Sequence, residues 1–254
     1  MGLEVNDMSS KTNDSVVLVT GANRGLGRAL VEAYLARGAT KVYAAARDPK
    51  QLEALARSAE GRVVPLALDV TDAASLAAAA AAAPDVRVLV NNAGVLASYN
   101  VLSATAEEMR RDFDVNFHGT LATTKALLPA LERAGRDGGA RVVNVLSIAS
   151  LANVPAIAAY SASKAAALSI TQALRVELAK KNVRVHGVLA GAIDTDMVRG
   201  MEMPKTSPVD VARGILEGLD RDEDDIAPDP MSRDLVAMWR KDPKALERQL
   251  GTMG

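Results

Sequence analysis

Thr20-Gly21-Ala22-Asn23-Arg24-Gly25-Leu26-Gly27 decides the reading of this chain, because of what flanks it. The apolar run Val16-Val17-Leu18-Val19 precedes it, and a helical pattern at Leu30, Val31, Tyr34 and Leu35 follows. That order is a buried strand, a tight glycine turn and a helix N-terminus. The first turn of a helix leaves N–H groups unpaired and carries partial positive charge, so it favours an anion. Glycines let the backbone bend sharply and approach a pyrophosphate with no Cβ in the way. The spacing is Gly-x3-Gly-x-Gly rather than the commoner Gly-x-Gly-x-x-Gly, and a turn that binds nothing is the competing reading.

Working outward, strand patterns recur at Lys41-Val42-Tyr43-Ala44-Ala45, Val63 to Leu68, Val86 to Val90, Arg141 to Leu146 and Val183 to Leu189. Helical patterns separate them, and several strands are apolar on both faces. Alternation of this kind predicts a parallel sheet covered on both sides, in a single α/β domain over 15–254. Gly38 is a C-cap for the first helix, and Asp48-Pro49 is the cap and first turn of the next. Pro65 suggests a strand start or a pairing defect. The alanine run 77–83 is a helix capped by Thr71 or Asp72, since alanine is the best helix former. A helix through Glu107, Met109 and Phe113 is expected to continue past Gly119 to Leu131, and another spans 158–180. Residues 1–14 are polar and aperiodic and are expected to form a mobile tail. Residues 194–208 hold Met197, Met201, Met203 and two prolines, and predict an adaptable apolar lid. A helix from Val209 to Leu219, a short strand near Ile226 and a helical tail over 231–254 complete the chain. Trp239 is the expected anchor of that tail, to the body or to a neighbouring subunit.

Composition removes several classes of function. Net charge is −1, with no basic excess to suggest nucleic acid. No apolar run reaches the roughly eighteen residues of a membrane span. The chain has no cysteine, which excludes disulfides, thiolate metal sites and a cysteine nucleophile, and its 2 histidines argue against a multi-histidine metal site. Neither a basic n-region nor an apolar h-region opens the chain, and Asn6 stands where N-myristoylation wants Ser or Thr. A cytoplasmic location is expected.

Ligands of open parallel sheets bind outside the carboxyl ends of the strands. Asn91 and Ser147 lie at such ends, with Asn116 and Tyr160 in neighbouring helices. Lys164 follows Tyr160 by four residues, which puts both on one helix face. Its charge would lower the phenol pKa from about 10, poising the tyrosine for general acid–base work. Ser147 would hold the reacting oxygen by a hydrogen bond. An ordinary surface pair of tyrosine and lysine is the alternative. His118 reads as a helix residue near the site and His186 as structural.

Taken together, Thr20-Gly21-x3-Gly25-x-Gly27, Asn91-Asn92-Ala93-Gly94, Asn116, Ser147 and Tyr160 to Lys164 resemble the short-chain dehydrogenase/reductase family, in its order and at its intervals, across residues 15–227. The resemblance implies a Rossmann-like doubly wound sheet of about seven strands and hydride transfer between a nicotinamide cofactor and an alcohol or carbonyl carbon. It makes Tyr160 the acid/base, gives Lys164 the nicotinamide ribose, and has Ser147 orient the carbonyl while Asn116 supports a proton relay. It carries cofactor binding to Gly21, Asn23, Arg24, Gly25, Leu26, Gly27, Asp69, Val70, Asn91, Ala93, Gly94, Gly191, Ile193 and Thr195. One departure is Ala190-Gly191 where the family has Pro-Gly, which should loosen that loop.

In relatives that prefer NAD an acidic residue ends the second strand and binds the ribose 2′-OH. Here Ala46 stands there, followed by Arg47, and with Arg24 it implies NADP(H); Asp48 would be the ribose acid were the register off by two. The substrate wall is expected from Leu96, Ile148, Leu151, Val154, Ile157, Met197 and Met201, which favours a hydrophobic ketone or aldehyde. A ketoacyl-thioester reductase is the alternative, and a non-catalytic redox sensor is the reading from another class. The intact Asn116, Ser147, Tyr160 and Lys164 set argues against a sensor. Relatives pair the long helices across a two-fold axis, which implies a homotetramer or a dimer.

Overall fold

The computed structural model describes residues 15–97 and 100–252. The expected N-terminal tail, 1–14, lies outside them. In chain order the elements are β1 (Val16–Thr20), α1 (Gly25–Ala36), β2 (Lys41–Ala46), α2 (Glu53–Ser58), β3 (Val63–Ala67), α3 (Ala73–Ala82), β4 (Val88–Asn91) and α4 (Ala106–Phe113). Then come α5 (Thr120–Arg136), β5 (Ala140–Val145), α6 (Ala158–Ala179), β6 (Val183–Val188), α7 (Pro208–Asp220), β7 (Asp225–Ile226), α8 (Pro230–Lys241) and α9 (Pro243–Gly251). All strand pairs are parallel, and the 7 strands lie in the order β3-β2-β1-β4-β5-β6-β7. This is the expected doubly wound α/β sheet, and its order reverses between β1 and β4, where a crevice opens for a ligand.

Pleating sends alternate residues of each strand to opposite layers. Val17, Val19, Val42 and Ala44 join α1, α2 and α7 on one face. Leu18, Tyr43, Leu89 and Val142 join α3, α5 and α6 on the other. Val17, Leu18 and Val19 are all fully buried, each worth about 1.5–3 kcal/mol relative to exposure. This two-sided burial is why β1 reads as a continuous apolar run.

Local signals placed most element ends. Asp72 caps α3 by accepting from Ala74 N–H at 2.9 Å, and Asp48 accepts from Lys50 N–H at 3.1 Å. Gly38 stands just past α1 with φ +91°, and its N–H donates to Leu35 O.

Two expectations need correction. Pro65 is neither a strand start nor a defect: it sits mid-strand opposite Ala44, because β3 is an edge strand with one neighbour and needs donors on one side only. The helix past Phe113 does continue, but through a π-helical turn at Asp114–Gly119 before α5 runs on to Arg136. There α5 approaches the β3–α3 loop, and a Cβ on Gly119 would lie 2.7 Å from Val70 Cγ2.

At the C-terminal side α8 and α9 fold over the carboxyl ends of the strands. Leu246 and Leu250, both fully buried, pack with Ile148 and Leu235. Those leucines anchor the tail, whereas Trp239 remains 36% exposed. Among the described residues no helix is long and apolar enough to cross a membrane.

Candidate active site

The glycine turn and the turn after β4 are locked together across the switch point. Thr20 Oγ1 accepts from Asn92 N–H at 3.0 Å and Ala93 N–H at 2.9 Å, and Asn92 Nδ2 returns a bond to Thr20 O at 2.8 Å. Gly21 adopts φ +66°, which side chains disfavour. A Cβ on Gly27 would fall on Gly21 O and 2.6 Å from Asn92 Nδ2. The turn is therefore drawn close against its neighbour, leaving the N-terminus of α1 open toward the crevice, where it suits a pyrophosphate.

The crevice is a cleft of about 1060 Å³, at the upper end of single-ligand pockets and large enough for a dinucleotide with a substrate beside it. Its polar end has Asn23, Arg24, Arg47, Asp48, Gln51 and Asp69, and its apolar end has Leu96, Ile148, Val154, Ile157, Met197 and Met201. Among the positions expected for cofactor, Gly21, Asn23, Arg24, Gly25, Leu26, Gly27, Arg47, Asp69, Val70, Ala93, Gly94, Gly191, Ile193 and Thr195 all line it. Asp48 spends its carboxylate on Lys50 N–H, as a helix cap does. Asp69 accepts from the hydroxyl and N–H of Thr71, which hold its carboxyl below the usual range.

Ser147, Tyr160 and Lys164 meet where the two ends join. Ser147 follows β5 and caps the next turn, accepting from Ala149 N–H at 3.1 Å. Its hydroxyl stands near the Tyr160 phenol on the cleft wall and favours the ionised form of that phenol. Tyr160 and Lys164 are 8% and 5% exposed, so the alternative of a surface pair fails. Lys164 Nζ donates to Val145 O at 2.7 Å and lies 5.7 Å from the Tyr160 ring centre. The expected lowering of the phenol pKa is reversed in the free chain. Burial pushes Tyr160 up to about 12, against the lowering effect of the Ser147 hydroxyl and with a further push from Asp112. Burial likewise brings Lys164 down to about 8, with Asp112 opposing.

Three expected positions stand apart from the cleft lining. Asn91 points into the core, where its Nδ2 donates to Thr124 Oγ1 at 3.0 Å and Asn144 Oδ1 at 2.8 Å. Leu151 packs beneath the cleft among Ile148, Leu235 and Val236. Asn116 stands behind it, gripping Val95 through both its amide atoms, each at 2.9 Å, and reaching Ser163 Oγ at 3.0 Å. His118 is exposed against Phe117, and His186 is buried in β6; neither touches the cleft.

The loop over the cleft is tied at its base by Asp194 N–H to Thr206 O and Thr206 N–H to Ala192 O, both at 2.9 Å. Beyond that base, Met197 and Met203 are 42% and 37% exposed. Several contributors went unread in the sequence. Met231 and Leu250 close the apolar end from α8 and α9. Asp229 caps α8 and also accepts from Gly191 N–H at 2.9 Å, steadying the loop that lacks the family proline. Asp112 is fully buried on α4, which packs on α6, the helix of Tyr160 and Lys164. The cap pattern of Asp229-Pro230 was a usable signal; helix-face carboxylates and leucines gave none.

A family profile for short chain dehydrogenase matches residues 15–205. A short chain dehydrogenase from Burkholderia cenocepacia, solved in complex with NADP, is 40% identical with a TM-score of 0.86, covering 93% of this chain and 97% of that one. The NADPH-bound carbonyl reductase from chicken fatty liver is 27% identical with a TM-score of 0.78, covering 84% and 91%. The short chain dehydrogenase tazN of Aspergillus terreus is 36% identical over 197 residues, 73% of this chain but 42% of its own length. With its sheet order, its glycine turn and these matches, the chain belongs to the short-chain dehydrogenase family and is an oxidoreductase.

Proposed function

We infer that the chain is an NADPH-dependent carbonyl reductase, acting in reverse as an alcohol dehydrogenase, on a hydrophobic ketone or aldehyde. The observation that carries this is the grouping of Ser147 with the buried Tyr160 and Lys164 on the wall of one cleft that has a polar end and an apolar end.

The residues present suit the cofactor. The Gly21–Gly27 turn would offer α1 N–H groups to a pyrophosphate, and Asp69 and Val70 would take the adenine. Arg24 and Arg47 offer guanidinium groups to the 2′-phosphate, and Ala46 leaves no carboxylate for a 2′-hydroxyl. Ala93, Gly94, Gly191, Ile193 and Thr195, which line the same cleft, would hold the nicotinamide half. The nicotinamide, when bound, supplies or accepts the hydride. Ser147 and Tyr160 both donate hydrogen bonds to the substrate carbonyl oxygen, and Tyr160 gives that oxygen its proton as the carbon is reduced. Burial holds the phenol at about 12, and a cation near it eases release of its proton, which is the task of Lys164. Methionines at 197 and 201 adapt to the substrate's apolar part. The two like-named properties of the Burkholderia and chicken proteins, binding NADP and NADPH, support the same choice.

The test is substrate-dependent oxidation of NADPH with a panel of ketones, aldehydes and acyl-thioesters, for wild type and Tyr160→Phe. The variant should fold, bind NADPH and lose at least ~10²-fold in turnover, the contribution expected of a general acid. Retention of a tenth of the activity would remove Tyr160 as the acid, and preference for thioesters would move the substrate assignment to ketoacyl reduction. The same reading includes pairing of chains through α5 and α6, where Val176 is 70% exposed, and light scattering measures it.

A further inference from the structure

Asp112 is a carboxylate in an unfavourable place. It is fully buried on α4, one turn before Asn116. Its Oδ2 accepts from Ala97 N–H at 3.3 Å, and its Oδ1 has no hydrogen-bond partner among the described residues. A grip on one backbone N–H does not require a charge; an amide would serve. Burying a carboxylate with a bare oxygen is costly unless something nearby offsets it.

Its surroundings identify the offset. α4 packs on α6, and one turn further along Asn116 Nδ2 donates to Ser163 Oγ at 3.0 Å, next in sequence to Lys164. Lys164 is itself buried, and its ammonium donates to the neutral oxygen of Val145. Among the described residues Asp112 is the charged group that acts on Lys164. Burial pushes the Asp112 carboxyl above its ordinary range, while the Ala97 N–H bond and the charges of Arg111, on its own helix, and Lys164 pull it back. The charge of Asp112 also reaches Tyr160, whose pKa it raises.

We propose that Asp112 is the buried counter-charge of Lys164, a positioning residue that keeps the lysine protonated beside Tyr160. The proposal rests on the reading of Tyr160 and Lys164 as the acid–base couple. Asp112 makes no contact with substrate in this assignment; it acts through the ammonium.

The sign of the effect is fixed. Burial brings Lys164 down to about 8, and the negative charge of Asp112 resists that fall. Removing the charge must lower the lysine further, so the neutral amine would invade the working pH range. The alkaline limb of carbonyl reduction would then move to lower pH.

Asp112→Asn tests this in the full chain, because the amide oxygen still accepts from Ala97 N–H while the charge is gone. Lysines carrying ¹³C at Cε are titrated by NMR, with Lys164 assigned through Lys164→Arg, alongside the pH profile of kcat/KM. In Asp112→Asn the Lys164 midpoint should fall by about half a unit or more, the change expected when one nearby opposite charge is lost. The alkaline limb should fall with it, and Asp112→Glu should recover both. An unchanged midpoint in Asp112→Asn would reduce Asp112 to a grip on Ala97 and overturn the proposal. A midpoint that moves without the rate profile would overturn its positioning role. Activity surviving in Tyr160→Phe would sink the acid–base reading instead, and would leave the titration result standing.

Discussion

Arg24 Nη1 lies 3.0 Å from Asp196 Oδ2, so the glycine turn is ion-paired with the loop that covers the cleft. The side chains are 70% and 43% exposed, and Asp196 is shared with Arg199. An exposed pair of this kind contributes about 0–1 kcal/mol, whereas a hydrogen bond to a charged group is worth roughly 1.5–3 kcal/mol. On the proposed reading a 2′-phosphate would therefore outcompete Asp196 for Arg24, and the loop would lose a tether when it did.

Cofactor choice follows from that comparison. Arg24→Ala and Arg47→Ala should each reduce the NADPH-over-NADH ratio of kcat/KM by about tenfold, up to roughly a hundredfold if the arginine is well engaged. Ala46→Asp with Arg47→Ile should turn the preference toward NADH by supplying a ribose acceptor and removing a phosphate partner. Equal use of both cofactors by the wild type would end the NADP assignment. A double variant that still prefers NADPH would place the choice on Arg24 alone.

Leu250 gives a prediction about substrate and stability together. It is fully buried against Ile148, Leu235 and Leu246, yet it also lines the apolar end of the cleft. Leu250→Ala should cost about 2–5 kcal/mol by the usual large-to-small penalty, and the hollow it leaves should open onto the substrate side. The expected result is a lower melting temperature and a KM that rises for small ketones while bulkier ones improve relative to them. Leu55→Ala, buried under α2 away from the cleft, is the control and should affect stability with no change in that order. The idea fails if the two variants give the same substrate ranking.

The difference between Leu250 and Ser147 shows what the sequence could and could not display. Ser147, Tyr160 and Lys164 were legible because strand ends and four-residue helix spacing are local patterns, and the sheet then had to bring them to one edge. The turn from Thr20 to Gly27 and the caps at Asp48 and Asp72 were legible for the same reason. Pro65 was misplaced because being an edge strand is a property of the whole sheet order. Asn91 and Leu151 were found at the correct ends, but pleat and packing turned both side chains away from the cleft. Met231, Leu250 and Asp112 lie on helices, where the face that meets the site depends on docking against other elements. A lone aspartate in Ala106–Phe113, among two glutamates and two arginines, looks like a solvated face until α6 is laid over it.

His186 offers the cleanest pH test of the fold. It is fully buried in β6, and its Nδ1–H donates to Glu223 O at 2.7 Å, since a carbonyl can only accept. Nε2 has no hydrogen-bond partner among the described residues, with Asp222 Oδ1 at 3.9 Å. Burial holds the imidazole pKa below its ordinary 6.5; Arg141 and Arg184 add to this, while the Glu223 bond and Asp222 oppose it. The folded chain therefore keeps His186 neutral where the unfolded chain would protonate it. Below about pH 6.5 the unfolded state binds the extra proton, so stability is complete above that value and is lost as pH falls toward the folded pKa. One proton gives a slope of up to about 1.4 kcal/mol per pH unit. Carboxylates such as Asp69, held low in the folded state, begin to matter only nearer pH 4. Asp112, held high by burial, gains its proton earlier in the folded chain and offsets part of the loss, so a His186 variant is needed to single out the histidine. His186→Asn keeps a donor for Glu223 O and removes the titration. Its absolute stability should be lower, because the smaller side chain leaves a gap, but its urea midpoint should change less between pH 7 and 5 than the wild type's. Equal slopes in the two proteins would show that His186 is not the group whose charging weakens the fold.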